Sequence, residues 1–88
     1  MYKILFASLL AFSAGSALAG AKCEKHPKEE WMKEADAKAK LEAEGYKIRK
    51  FKVDGHCYEI YGHNKDGKKV EIYFDTKTLA IVKAEIEK

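Results

Sequence analysis

Downstream of residue 19 the chain contains no serine, since Ser8, Ser13 and Ser16 all precede that point. A serine-based catalytic triad is thereby excluded from the rest of the chain. Cysteine is confined to Cys23 and Cys57. There is no C-x-x-C-H step for covalent c-type haem, and nothing repeats the single Cys23-x-x-His26 spacing as a zinc module would. No glycine-rich phosphate loop occurs. Internal repeats and low-complexity linkers are missing too, so the chain reads as one domain. Charge of one sign is scarce: 17 basic residues face 14 acidic ones, for a formal net charge of +3. Lys and Glu are interleaved instead of gathered into a basic block, which argues against nucleic acid as a partner.

The longest apolar run, from Ile4 to about Phe12, falls short of the roughly 20 residues of a membrane span. With Lys3 ahead of it and Ala17-Leu18-Ala19 behind, it has the layout of a signal peptide over residues 1–19, with Ala21 as the alternative cleavage point. Lys22 directly before Cys23 removes the short motif that would lipidate that cysteine. The expectation is a periplasmic or secreted domain over residues 20–88, with no stable membrane anchor. About 70 residues then remain, a size at which a hydrophobic core is marginal and a staple is commonly needed. An oxidising compartment bridges such a cysteine pair, so a Cys23–Cys57 disulfide is predicted.

After the lead-in from Gly20 to Pro27, residues 28–44 are rich in Ala, Glu, Lys and Leu, with no β-branched residue. They predict a helix closed by Gly45 in the left-handed position. Its apolar face is thin, whether taken as Trp31, Ala35 and Ala39 or as Ala37 and Leu41. Three alternating runs follow, separated by Asp54-Gly55 and by Asn64-Lys65-Asp66-Gly67. In the first, Tyr46 and Ile48 lie on one parity and Phe51 and Val53 on the other, which implies a bulge near Arg49 and Lys50 or burial on both sides. In the second, Cys57, Glu59 and Tyr61 alternate with Tyr58, Ile60 and Gly62. In the third, Val70, Ile72 and Phe74 alternate with Glu71, Tyr73 and Asp75. A fourth strand is predicted from Leu79 to Ile86. The fold class is α+β: one N-terminal helix on a three- to four-stranded antiparallel sheet, in the order α-β-β-β-β.

Trp31, Leu41-Glu42-Ala43-Glu44-Gly45-Tyr46, Cys57-Tyr58-Glu59-Ile60-Tyr61 and the run from Lys65 to Asp75 together resemble the PepSY-like domains of small bacterial periplasmic proteins. The resemblance covers essentially all of residues 20–88. It implies a helix packed on a small antiparallel sheet and a module that inhibits peptidases or binds proteins, as in the propeptides of secreted metallopeptidases. One departure stands out. The family often closes its last hairpin with D-x-x-T-G, whereas Asp75-Thr76-Lys77-Thr78 is followed here by Leu79, so either the turn has a different backbone or Leu79 opens the strand.

These readings converge on a non-enzymatic protein- or peptide-binding module without a cofactor. Tyr58, Tyr61 and Tyr73 are the expected partner contacts, as aromatics flanked by charge. His56 beside Cys57 is no nucleophile–base pair, because neighbours in a strand point to opposite faces. The alternative is a metal- or haem-associated accessory protein using His26, His56 and His63 with unbridged cysteines. An envelope component without a specific ligand is a third reading. Glu42, Glu44, Glu59 and Glu71 are the conceivable acid/base residues, of which Glu59 and Glu71 are expected to face Lys or Arg across the hairpin.

Overall fold

A computed structural model describes residues 20–87, so the expected signal peptide lies outside the described residues. A short 3-10 turn, Lys28–Glu30, precedes helix α1, Glu34–Ala43. Four strands follow: β1 Lys47–Asp54, β2 Cys57–His63, β3 Lys69–Asp75 and β4 Ile81–Ile86. They form one antiparallel meander in the order β1-β2-β3-β4. The α+β reading with a four-stranded sheet holds for these residues. No helix among them is long and apolar enough to cross a membrane.

The helix begins later than composition suggests. Trp31 and Lys33 are extended, with ψ of 140° and 143°, and the cause is tertiary. The Met32 amide donates to the Thr76 carbonyl at 2.8 Å, while the Met32 carbonyl accepts from the Tyr58 hydroxyl at 2.6 Å. Both backbone groups of Met32 are committed to the sheet, so the helical ladder cannot run through it. Of the two candidate stripes, Ala37 and Leu41 are buried, whereas Ala35 and Ala39 are exposed. Trp31 reaches the core from outside the helix, edge-on to Tyr58 at 5.5 Å between ring centroids.

The register places Phe51, Ile60 and Ile72 in one row and Tyr58 and Phe74 in the next. These side chains, with Val70 and Leu79, form the core under Ala37 and Leu41. The predicted bulge is present: pairing jumps from Ile48–Gly62 to Lys50–Tyr61, leaving Arg49 unopposed. Gly62 is required there, because a Cβ at this position would strike the Lys47 carbonyl.

The β3–β4 turn settles the Leu79 question. Leu79 does not open the strand; it takes φ +64°, the backbone a glycine would hold. For an L-residue this costs about 1–2 kcal/mol, offset by burial of the leucine side chain in the core. Asp75 shapes the turn: its Oδ2 accepts from the amides of Lys77 and Thr78 at 2.9 and 2.8 Å, and from the Thr78 hydroxyl at 3.1 Å.

The lead-in is tied to the opposite face. Cys23 and Cys57 are bridged, with an S–S distance of 2.04 Å and a Cα separation of 5.4 Å. From there the chain rounds the sheet end to reach Trp31 on the helix side.

Two outcomes follow from this architecture. Leu79→Ala keeps the unfavourable φ and loses the buried side chain, whereas Leu79→Gly loses both, so the alanine variant should be the less stable by about 1 kcal/mol in urea unfolding; equal stability or the reverse order would contradict this. Removing the disulfide by Cys23→Ala with Cys57→Ala should cost about 3–4 kcal/mol, read as a drop in Tm of roughly 15 °C or more.

Candidate binding face

Helix α1 covers one face of the sheet, and the other is built from the alternate side chains. Reading across the strands, Lys52, Glu59, Tyr73 and Lys83 form one row, and Lys50, Tyr61, Glu71 and Glu85 form the next. Beyond these, Lys47, His63 and Lys69 stand side by side. Cys57 belongs to this face, so the disulfide holds the lead-in against it at one end.

At the centre lies a pair of carboxyl groups: Glu59 lies opposite Lys52 across the hairpin as expected, whereas Glu71 lies between Tyr61 and Glu85 and not opposite a cation. Glu59 is 1% exposed, and its Oε2 has no hydrogen-bond partner. Burial, and then the neighbouring Glu71, push its pKa above the ordinary carboxyl range. Glu71 moves the other way, lowered first by Glu59 and then by the tyrosine hydroxyls. A proton taken up by the pair therefore favours Glu59 over Glu71. The Tyr73 hydroxyl donates to Glu71 Oε2 at 3.1 Å. Both Tyr61 and Tyr73 are held protonated, Tyr61 chiefly by its bond to Glu59 and Tyr73 chiefly by burial. Lysines cap the rings: Lys50 and Lys52 stand 5.9 and 5.7 Å from the Tyr61 centroid, and Lys83, whose charge also lowers Glu71, stands 5.8 Å from that of Tyr73. Lys52, directly opposite Glu59 in the ladder, lies over the Tyr61 ring.

The three tyrosines expected to meet a partner separate. Tyr58 is 3% exposed and belongs to the helix-side core, and Tyr73 is 5% exposed beneath Lys83 and the lead-in. Neither ring is available as an exposed anchor. Tyr61 is exposed at 36%, and a cleft of about 260 Å³ opens beside it. The rim of that cleft is basic: Arg49, displaced by the bulge, with Lys50, His63 and Lys69. Sequence reasoning named Arg49 and Lys50 only as a bulge. Their convergence with Lys69 depends on three strands, and a linear pattern does not carry it.

The histidines do not assemble. His56 adjoins the first residue of β2 and His63 is its last, so they stand roughly 20 Å apart along the strand. His26 Nε2 bonds Asp75 Oδ1 at 2.9 Å. Glu24, His26 and Asp75 do place ligand atoms within 4.8 Å of one another, but both Asp75 oxygens are already committed, to His26 and to the turn. Burial alone would raise Asp75; the Thr78 amide, His26 and the Lys77 amide outweigh it and hold the carboxyl below its usual range. The cysteines, both bridged, offer no thiolate.

The fold and this face define a disulfide-stapled helix-on-sheet module with one covered face and one open, charged face. The chain belongs to the PepSY family, whose model, described as peptidase propeptide and YPEB domain, matches residues 3–85. No curated protein and no solved structure matches the chain.

The carboxyl pair sets a pH dependence. A raised folded pKa means that the stability contributed by Glu59 is fully present below about pH 4.5 and is lost as the pH rises through the folded value. Asp75 and Glu71, both lowered, contribute stability above about pH 4 that is lost on acidification. Thermal stability should therefore peak in mildly acid solution. Glu59→Gln keeps the shape, removes the ionisation and can donate to Glu71, so it should raise Tm at pH 7 and flatten its decline above pH 4.5; a lowered Tm at pH 7 would show that Glu59 is an ionised, partnered carboxylate.

Proposed function

We propose that the protein is a non-enzymatic, exported binding module that holds a protein or peptide partner against its open sheet face. The observation that carries this reading is the cleft beside Tyr61, with one exposed aromatic ring ringed by Arg49, Lys50, His63 and Lys69. An exposed ring fixed among cations suits an extended segment carrying a carboxylate: the ring supplies apolar area, and the guanidinium and ammonium groups supply charge-assisted hydrogen bonds. Membership of a family described by peptidase propeptides supports a protein ligand over a small-molecule substrate. It also supports the narrower reading of a peptidase inhibitor or modulator. The disulfide and the signal-like N-terminal pattern support a periplasmic or secreted location.

Fluorescence anisotropy with an extended Asp/Glu-containing peptide, and with its Lys-substituted counterpart, tests the reading. The acidic peptide should bind more tightly, with an affinity that falls as salt rises. Tyr61→Ala and Lys50→Glu should each weaken it by about tenfold, equivalent to roughly 1.4 kcal/mol. Binding that ignores peptide charge, or that survives both substitutions, would overturn the assignment of this cleft. Inhibition of secreted metallopeptidases that is lost in the same two variants would establish the inhibitor reading.

A further inference from the structure

The edge formed by β4 is unlike the rest of the sheet. Ile81 and Ile86 are more than half exposed and Val82 nearly so, and β4 contributes no side chain to the core. On the helix side, Ala84 and Ile86 continue the rows of Ile72 and Val70 beyond the area that α1 covers. On the open side the strand carries Lys83 and Glu85.

We infer that β4 pairs antiparallel with β4 of a second copy of this chain, about a two-fold axis at Ala84, joining two four-stranded sheets into one of eight strands. The backbone is already oriented for it. The Glu87 amide bonds the Lys69 carbonyl, and in an antiparallel ladder the residues that face the inner strand alternate with those that face outward. Glu87, Glu85 and Lys83 therefore face β3, while Ala84 and Ile86 present N–H and C=O groups to the open edge.

Symmetry and charge select the register. A two-fold perpendicular to the sheet requires one residue to oppose itself. Centred on Ala84, Lys83 meets Glu85 of the second copy twice, within the Lys83–Ile86 segment that pairs regularly with β3 before the irregularity at Val82. Centring on Lys83 sets Lys83 against itself, centring on Glu85 sets Glu85 against itself, and centring on Ile86 sets Glu85 against Glu87. Only the Ala84 register pairs opposite charges without a like-charged pair, and opposite pairs stabilise a ladder where like pairs weaken it. Lys83 already lies 3.8 Å from Glu85 of its own strand, so the dimer would close a four-membered ring of alternating charge.

The opposite edge suits this arrangement poorly. β1 carries Lys47, Arg49, Lys50 and Lys52 with no acidic residue before Asp54, a run of cations that discourages edge pairing, whereas the irregularity of β4 lies at Val82, outside the Lys83–Ile86 segment. One six-residue strand buries less than a standard interface, so association is of the transient class, with Kd on the order of 10⁻⁴ M. Because the axis is perpendicular to the sheet, both copies turn their basic clefts to the same side, roughly 25 Å apart by strand spacing. That geometry would permit bivalent capture of one extended partner, and it stands whether or not the clefts bind peptides.

Sedimentation velocity of the disulfide-intact protein at low salt, from 10⁻⁵ to 10⁻³ M by order of magnitude, provides the test. The expected result is a concentration-dependent monomer–dimer equilibrium. Lys83→Glu alone and Glu85→Lys alone should each weaken it by about tenfold or more. An equimolar mixture of these two variants should dimerise again, because each strand then meets its charge complement. Ala84→Pro, which removes an outward N–H while leaving the β3 ladder intact, should abolish the dimer and retain the wild-type circular dichroism. A monomer at every concentration, a dimer indifferent to Ala84→Pro, failure of the mixture to recover with both variants folded, or assemblies larger than a dimer would each overturn the proposal. The last outcome would point to head-to-tail pairing of β4 with β1.

Discussion

A helix that buries only Ala37 and Leu41 cannot hold itself on a sheet by hydrophobic contact alone, so the fold leans on the covalent tie between Cys23 and Cys57. That bond fastens the lead-in to the open face at the start of β2. Cys57 lies opposite Asp75 in the ladder, and the same corner gathers the His26–Asp75 contact and the Asp75-capped turn. From this anchor the chain rounds the sheet end and delivers Trp31 and Met32 to the helix side, where Met32 is pinned by Tyr58 and Thr76. Helix position thus follows from a chain of local constraints that begins at the disulfide. The loop it closes is long enough for a substantial entropic contribution in a domain of this size.

The two sheet faces divide the work. One is a conventional apolar core. The other buries Glu59 beneath tyrosine hydroxyls and lysine-capped rings, where burial and the neighbouring Glu71 raise its pKa. Burying the ionised form would cost several kcal/mol. The charges divide laterally: the basic side chains of β1 and Lys69 gather on one side of Tyr61, while Glu71, Glu85 and Glu87 shift the β4 side toward negative.

Much of the architecture was legible in local patterns. Alternation in β2 and β3 separated the two sets of side chains that the sheet puts on opposite faces, although Tyr58 falls in the core set and burial along both strands is nearly continuous. The parity break between Ile48 and Phe51 announced the bulge. The site was less legible. Tyr58, Tyr61 and Tyr73 look alike in sequence, each with a glutamate one or two residues away, yet one is in the helix-side core, one lies beneath the lead-in and one is exposed. Which ring is covered depends on where α1 and residues 20–27 cross the sheet, a matter of long-range packing.

Residue order by itself determined the antiparallel strand pattern, the hairpin turns at Asp54-Gly55 and Asn64–Gly67 and the cysteine pairing, since each rests on local backbone preference or simple chemical inventory. Tertiary structure decided the remainder: the late start of α1, forced by Met32; the left-handed Leu79, sustained by its burial; the opposite pKa shifts of Glu59 and Glu71; and the meeting of Arg49, Lys50, Tyr61 and Lys69 around one cleft. Each of these depends on groups far apart in the chain competing for the same backbone donor, the same volume or the same proton, and that competition is settled only when the sheet closes.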